Sequence, residues 1–192
     1  MKLLDLLGYA MRPLRSDPSK LIESQSVVIG QPHSIILSSP IFINGASLPK
    51  SHSVDGEGLF PALSWTDVPK GCQSLVLVVE DPDAPMPDPF VHCIMYNIPP
   101  EWRALSASAV SHLGLSPDSV AHGLELGKNS MSKCNYFPPS PPRAHGVHHY
   151  HFQLIAIDAK LLFGHTPSLA DIKEALADHV LASGELVGIY ER

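Results

Sequence analysis

The spacing of apolar positions changes period along this chain. Leu3, Leu4, Leu7, Met11 and Leu14 fall on one side at helical spacing, which predicts a short amphipathic helix ending near Pro13. Its polar face is not rich in Lys and Arg, so packing on a core or a partner is expected ahead of a membrane-surface role. From Ser34 onward short apolar and β-branched runs take over: Ile35–Leu37, Leu75–Glu80, Cys93–Ile98 and Phe152–Ile157, separated by Pro, Gly, Ser and Asp clusters. These read as strands. The unbroken run Leu75–Glu80 reads as a strand buried on both faces. Near the end, Thr166 or Ser168 is placed to cap a helix, Pro167 suits its first turn and Asp171 favours its dipole. Leu169, Ile172, Leu176 and Val180 then recur at spacings of three and four, before Ser183-Gly184 is expected to stop the helix. Leu186–Tyr190 is apolar enough to return as a strand. With no internal repeat, low-complexity linker or charge block, the expectation is a mostly β fold with a few helices, as one domain over 31–192 behind an N-terminal extension, 1–30.

Composition narrows the class. At 192 residues and 44 % hydrophobic the chain can bury a core, and its 19 prolines, roughly twice the usual share, argue against a helical bundle. Thirteen Lys and Arg against 19 Asp and Glu leave a formal charge of −6, which suits neither a disordered segment nor a phosphate-backbone binder, so no nucleic acid partner is expected. An acidic protein is also repelled by anionic lipid, so membrane association is expected to be weak or nil. Cys72, Cys93 and Cys134 form no CxxC and cannot all pair, which fits a reducing compartment. Asp5 interrupts the N-terminal apolar run, and no stretch reaches the roughly 20 residues of a spanning helix. A cytoplasmic location is expected ahead of secretion.

Three clusters could carry chemistry. The Leu75–Glu80 run leads straight into Asp81-Pro82-Asp83-Ala84-Pro85, so a buried strand delivers two carboxylates to its own mouth; Ala84–Pro85 is a candidate cis peptide. A plain strand-ending turn, with Asp side chains bonding nearby N–H groups, accounts for the same residues. His92 heads the next run, and the intervening loop is short enough to return it to the Asp81/Asp83 end. In the third cluster, alternation from Val147 puts His148, Tyr150 and Phe152 on one strand face and His149, His151 and Gln153 on the other. His149 and His151 have chelating spacing, but nothing else supplies a further ligand, so a polar outer face is the better reading and neither metal nor cofactor is expected.

The DPDAP turn, His92, the segment Gly127-Lys128-Asn129-Ser130, the Pro-Pro stretch from Pro138 and the GVHHY segment occur together in order. As a set they resemble the phosphatidylethanolamine-binding protein family, specifically its bacterial-type, Raf-kinase-inhibitor-like branch, from about Leu37 to Arg192. The resemblance implies a β-sandwich-type central sheet with a small anion-binding pocket at one end and a helix near the C-terminus. It implies that Asp81, Asp83, His92, Pro142, His148 and Tyr150 form that pocket, whose ligands in relatives are phosphate and phosphorylethanolamine-like head groups. Two imidazoles and a phenol offer donors to oxyanions while the carboxylates meet an ammonium, so the residue chemistry agrees. Partner kinases or serine proteases are a further implication, and a homodimer is another use open to the extension. His149 stands where many relatives carry Arg, Cys93 where many carry Trp or a small residue, and the short loop after DPDAP removes contacts animal relatives use, which weakens the case for inhibiting a Raf-like kinase. The leading expectation is a small-ligand binding protein, there being no GxSxG elbow or activated nucleophile. The alternative is a cofactor-independent acid–base enzyme for cyclisation, condensation or isomerisation, with Asp81, Asp83, His92 and His148 as its catalytic residues.

Overall fold

In the computed structural model, which describes residues 3–25, 27–28 and 30–192, most of the chain after residue 35 is strand and ordered loop. In chain order the elements are α1 (Leu3–Met11), β1 (Ile36–Ser38), β2 (Leu63–Thr66), β3 (Ser74–Asp81), β4 (Phe90–Ile98), β5 (Ala104–Leu105), β6 (Val110–Ser111), β7 (Gly114–Leu115), α2 (Pro117–Ala121), β8 (Glu125–Leu126), β9 (His148–Ile157), α3 (Leu169–Ala175) and β10 (Val180–Tyr190). The central sheet is antiparallel in the order β10-β9-β3-β4-β8; β1-β2-β5 form a smaller sheet and β6-β7 a short hairpin.

The double burial of β3 follows from what lies on each side of it. Leu75, Leu77 and Val79 point with Phe152, Leu154 and Met95 into a core closed by Leu37, Leu63 and Trp65 of the smaller sheet. Val76 and Val78 point the other way, with Ile94 and Ile155, against Ile172 and Leu176 at α3. A strand covered on both faces needs apolar residues along its length, and β3 has them from Leu75 to Val79, with Glu80 next in line. That one buried carboxylate is used: its Oε2 accepts from the Ile22 N–H at 2.8 Å and the Gln153 Nε2–H at 2.8 Å, while Gln153 Oε1 accepts from the Glu23 N–H at 3.0 Å. Together they seat residues 22–24 on the second face of the sheet, where Ile22 is fully buried. Burial dominates at Glu80 and pushes its carboxyl up from the ordinary range.

Three expectations are corrected. The C-terminal helix is capped as expected, by Ser168 with Asp171 in a reciprocal capping box, but it ends at Ala175. Asp178 then takes a positive φ, 65°, and the chain enters β10 at Val180, so Ser183 and Gly184 lie inside a strand. Gly184 is there because the Ile35 backbone crosses it: a Cβ would sit 2.1 Å from the Ile35 carbonyl oxygen. The Ala84–Pro85 bond is trans, since no described peptide is cis; the turn closes instead through Asp83 N–H to Asp81 Oδ1 and Met86 N–H to the Ala84 carbonyl, 2.8 and 2.7 Å. The N-terminal helix forms, yet Leu3, Leu7 and Leu14 are 82, 55 and 56 % exposed, so of the packing on a core or a partner expected for it, these described residues show no core packing; the Leu4 side chain lies outside the described residues. Among its described residues Gly8 is buried, pressed against the Arg143 carbonyl. Among the described residues no helix is long and apolar enough to cross a membrane, and all three cysteines are free.

Candidate functional site

Because β9, β3 and β4 are antiparallel neighbours, the C-terminal end of β3 and the N-terminal ends of β4 and β9 meet at one end of the sheet. Asp81 closes β3, His92 stands near the start of β4 and His148 opens β9. The pairing of β3 with β4 shifts here: Val79 faces Cys93 but Glu80 faces Val91, leaving His92 as the extra residue of a bulge. The bulge turns His92 toward the same side as Cys93, where its ring meets Tyr150 edge-on at 5.2 Å. The carbonyl freed from the ladder accepts from the Phe137 N–H at 2.9 Å, and the ring is fixed by His92 Nδ1–H donating to the Phe137 carbonyl at 2.6 Å.

These residues surround a cavity of about 170 Å³. Asp81, His92 and His148 form its polar side, Ala84, Pro85, Met86, Phe90 and Phe137 its apolar walls, and Ser140, Pro141 and Pro142 its rim. Asp81 and His148 are almost fully buried and paired, Oδ2 to Nδ1 at 2.7 Å. The other Asp81 oxygen accepts the Asp83 N–H, so the turn reading and the site reading of this carboxylate both hold. His148 Nε2 contacts His145 Nδ1 at 2.7 Å. His92 differs: with its Nδ1 committed as a donor to a carbonyl, its Nε2 is buried without a partner. Burial lowers the basicity of this imidazole, more than the nearby Asp81 charge raises it.

Two expected residues stand apart from the cavity lining. Asp83 is turned away, accepting from the His149 N–H at 2.8 Å and from His149 Nδ1 at 2.6 Å on one oxygen and from the Arg15 guanidinium on the other. Burial alone would push its carboxyl up, but the His149 and Arg15 contacts outweigh it and hold the carboxyl below the usual range. Tyr150 lies behind His92, buried, with its hydroxyl unpartnered, and burial pushes the phenol far up. His149 and His151 go to separate carboxylates, Asp83 and Glu185.

Sequence reasoning missed His145 and Arg15. His145 lies in a loop, where no periodicity assigns direction, and Arg15 meets Asp83 across 68 positions of sequence. Arg15 Nη1 also donates to the Val147 carbonyl at 3.1 Å, and His145 Nε2 to the Met11 carbonyl at 2.9 Å. The Gly127–Ser130 segment proves to be scaffold. Asn129 Oδ1 accepts from the Met131 and Lys133 N–H groups, its Nδ2 donates to Asn135, and Ser130 Oγ accepts from the Val91 N–H beside the bulge.

The family model for phosphatidylethanolamine-binding protein matches residues 38–191. The chain belongs to the phosphatidylethanolamine-binding protein family. Among curated relatives, the UPF0098 protein of Pyrococcus horikoshii is 37 % identical over 80 % of this chain and 75 % of its own. That of Aquifex aeolicus is 35 % identical over 79 and 85 %. Among solved structures, a phosphatidylethanolamine-binding protein homologue from Chlamydia trachomatis superposes with a TM-score of 0.73 at 33 % identity, covering 83 % of this chain and 99 % of that one. YbcL of E. coli, a member of the mammalian family by its description, gives 0.73 at 26 % identity with the same coverage. The family match begins at residue 38, so Met11 and Arg15 reach the site from outside it.

Proposed function

We propose that this protein binds small phosphorylated ligands of head-group size in the cavity formed by Asp81, His92, Pro142 and His148. The observation that carries the reading is the buried, unpartnered Nε2 of His92 at the cavity wall. A buried ring nitrogen without a partner costs about 1–3 kcal/mol, which a ligand able to bond it recovers. The volume, about 170 Å³, suits a head group and is well below that of a drug-sized pocket. Membership of a family named for phosphatidylethanolamine supports the same choice.

Hydrogen-bond direction sets the proton requirement. Nδ1 of His92 donates to the Phe137 carbonyl, so Nε2 meets a phosphate oxygen attractively only if one proton lies between them. That proton comes either from the phosphate, whose second pKa is about 6, or from an imidazolium. Both groups lose it as pH rises, so affinity falls above about pH 6. Asp83, with Arg15 and His149 attached, acts outside the cavity by fixing the turn that carries Ala84 and Pro85. Tyr150 acts from behind by fixing the His92 ring.

A titration followed by backbone amide shifts tests this, using inorganic phosphate, ethanolamine and O-phosphorylethanolamine at pH 5.5. Saturable shifts for the two phosphate compounds, centred on the amides of Ala84, Met86, Phe90, Phe137 and Ser140, are expected; shifts scattered elsewhere, or none in the folded protein, refute it. The same lone pair on His92 favours one second reading, a general base with its tautomer fixed by Phe137, in an acid–base enzyme. A substrate whose turnover is lost in His92→Phe but whose phosphate-free analogue binds equally well would select that reading.

A further inference from the structure

Three hydrogen bonds run in series from the cavity to the N-terminal segment: Asp81 Oδ2 to His148 Nδ1 at 2.7 Å, His148 Nε2 to His145 Nδ1 at 2.7 Å, and His145 Nε2 to the Met11 carbonyl at 2.9 Å. A carbonyl only accepts, so His145 Nε2 carries a hydrogen. Each of the other two contacts also needs one, because two bare ring nitrogens repel at this distance, as do a bare ring nitrogen and a carboxylate oxygen. Two neutral imidazoles bring one hydrogen each. The three bonds need a third.

We propose that Asp81, His148 and His145 hold one extra proton in common, and that this proton docks residues 8–16 over the site, with His145 as the positioning residue that passes the constraint to Met11. The inference is independent of what the cavity binds. The Asp81 carboxylate sits at the His148 end of the series, and burial lowers the basicity of His145, so the charge is assigned to the Asp81 end. Removing the proton leaves one of the three contacts without a hydrogen. His148 and Asp81 are locked in the sheet, so the contact that parts is the one to Met11, on a half-exposed segment. The segment's other holds converge on the same place. Arg12 Nε donates to the Ala144 carbonyl at 2.8 Å, Arg15 to Asp83 and the Val147 carbonyl, and the Ser16 N–H to the Pro82 carbonyl at 2.8 Å. Gly8 lies so close to the Arg143 carbonyl that no side chain would fit, so the helix packs directly on the histidine loop.

The charges facing the series come from every side. Asp81 and Asp83 face it from β3 and its turn, His92 and His149 from β4 and β9, and Arg12 and Arg15 from the N-terminal segment. Arg143 and Arg192 flank the loop but are committed to Asp55. Of these, Asp83 is held in its charged form by its partners, so its charge stays fixed while the shared proton is gained or lost.

Amide hydrogen exchange of residues 5–16 in the full-length protein tests the proposal, with protection corrected for intrinsic rates at pH 5.5 and 8.5. Protection in the wild type should fall about tenfold at the higher pH, as expected for one hydrogen bond lost. Asp81→Asn should stay protected at both values: its amide N–H donates to His148 Nδ1, and two neutral rings then complete all three bonds with no extra proton. His145→Phe should be equally unprotected at both. Wild-type protection that does not change with pH, or His145→Phe protected like the wild type, would overturn the proposal. Should His145→Phe fail to fold, histidine ring nitrogen spectra of the wild type decide. Three hydrogens on the four nitrogens of His145 and His148 at pH 5.5, falling to two at pH 8.5, support the shared proton, and two at both values exclude it.

Discussion

Replacing Asp81 separates the two things this carboxylate does. It is buried, and it takes one hydrogen from the Asp83 N–H and one from His148 Nδ1. Asp81→Ala strips both partners at once. Each orphaned buried donor costs about 1–3 kcal/mol, so the variant should lose about 2–6 kcal/mol, in line with the cost of removing one member of a buried pair. Asp81→Asn has the same shape. Its oxygen still accepts from Asp83 and its amide donates to a His148 ring that has turned its lone pair toward it, so the loss should stay within about 1 kcal/mol. At about 2–4 °C per kcal/mol for a chain of this size, the two variants should differ in Tm by roughly 10 °C. Urea unfolding at pH 7, with m unchanged between variants, reads the difference directly. Equal costs for Ala and Asn would mean that the hydrogen bonds of Asp81 contribute little, and the positioning of His148 would need another cause.

Other expectations follow from single residues. Gly184→Ala drives a methyl into the Ile35 carbonyl and should cost about 1–3 kcal/mol in thermal or urea unfolding; a neutral effect would mean the 34–36 segment can shift freely. Asn129→Ala leaves the Met131 and Lys133 N–H groups without their acceptor and should cost about 2–4 kcal/mol, with broadened amide signals across 129–135. Two buried groups shape stability against pH. His92 is less basic in the fold than its ordinary 6.5, so the unfolded chain binds the extra proton and stability falls as pH drops below about 6.5. Glu80, raised above 4.5, works in the opposite sense, favouring the fold at acid pH and weakening it as pH rises through its folded value. Glu80→Gln should therefore lift stability at pH 8 relative to pH 5, and His92→Phe should flatten the acid limb; parallel curves for variant and wild type would contradict the assignment.

The mostly β fold was legible because its signal is local. A strand covered on both faces must be apolar throughout, and Leu75–Val79 is; a capped helix announces itself at Ser168 and Asp171. The meeting of Asp81 with His92 followed from a short loop between adjacent strands. What could not be read depends on contacts distant in sequence. Gly184 looks like a helix stop until Ile35 crosses it. The bulge that turns His92 into the cavity has no residue signature, since it arises from the register between two strands. Asp83 was grouped with Asp81 by the DPDAP turn, but Arg15 and His149 claim it, and Arg15 follows the N-terminal helix where no pattern assigns direction. His145 was in plain view beside His148, but a loop histidine gains direction only from the Met11 carbonyl that meets it.

The binding proposed for the cavity turns on the proton at His92, and one calorimetric experiment reaches it: titration of the wild type and His92→Phe with O-phosphorylethanolamine at pH 5.5 and 8, each in two buffers of different ionisation enthalpy. Saturable binding at pH 5.5, at least about tenfold weaker at pH 8, absent from folded His92→Phe, and taking up protons more strongly as pH rises through about 6, is the result expected of a ligand that shares a proton with His92 Nε2. Binding as tight at pH 8 as at pH 5.5, or undiminished in His92→Phe, would contradict it.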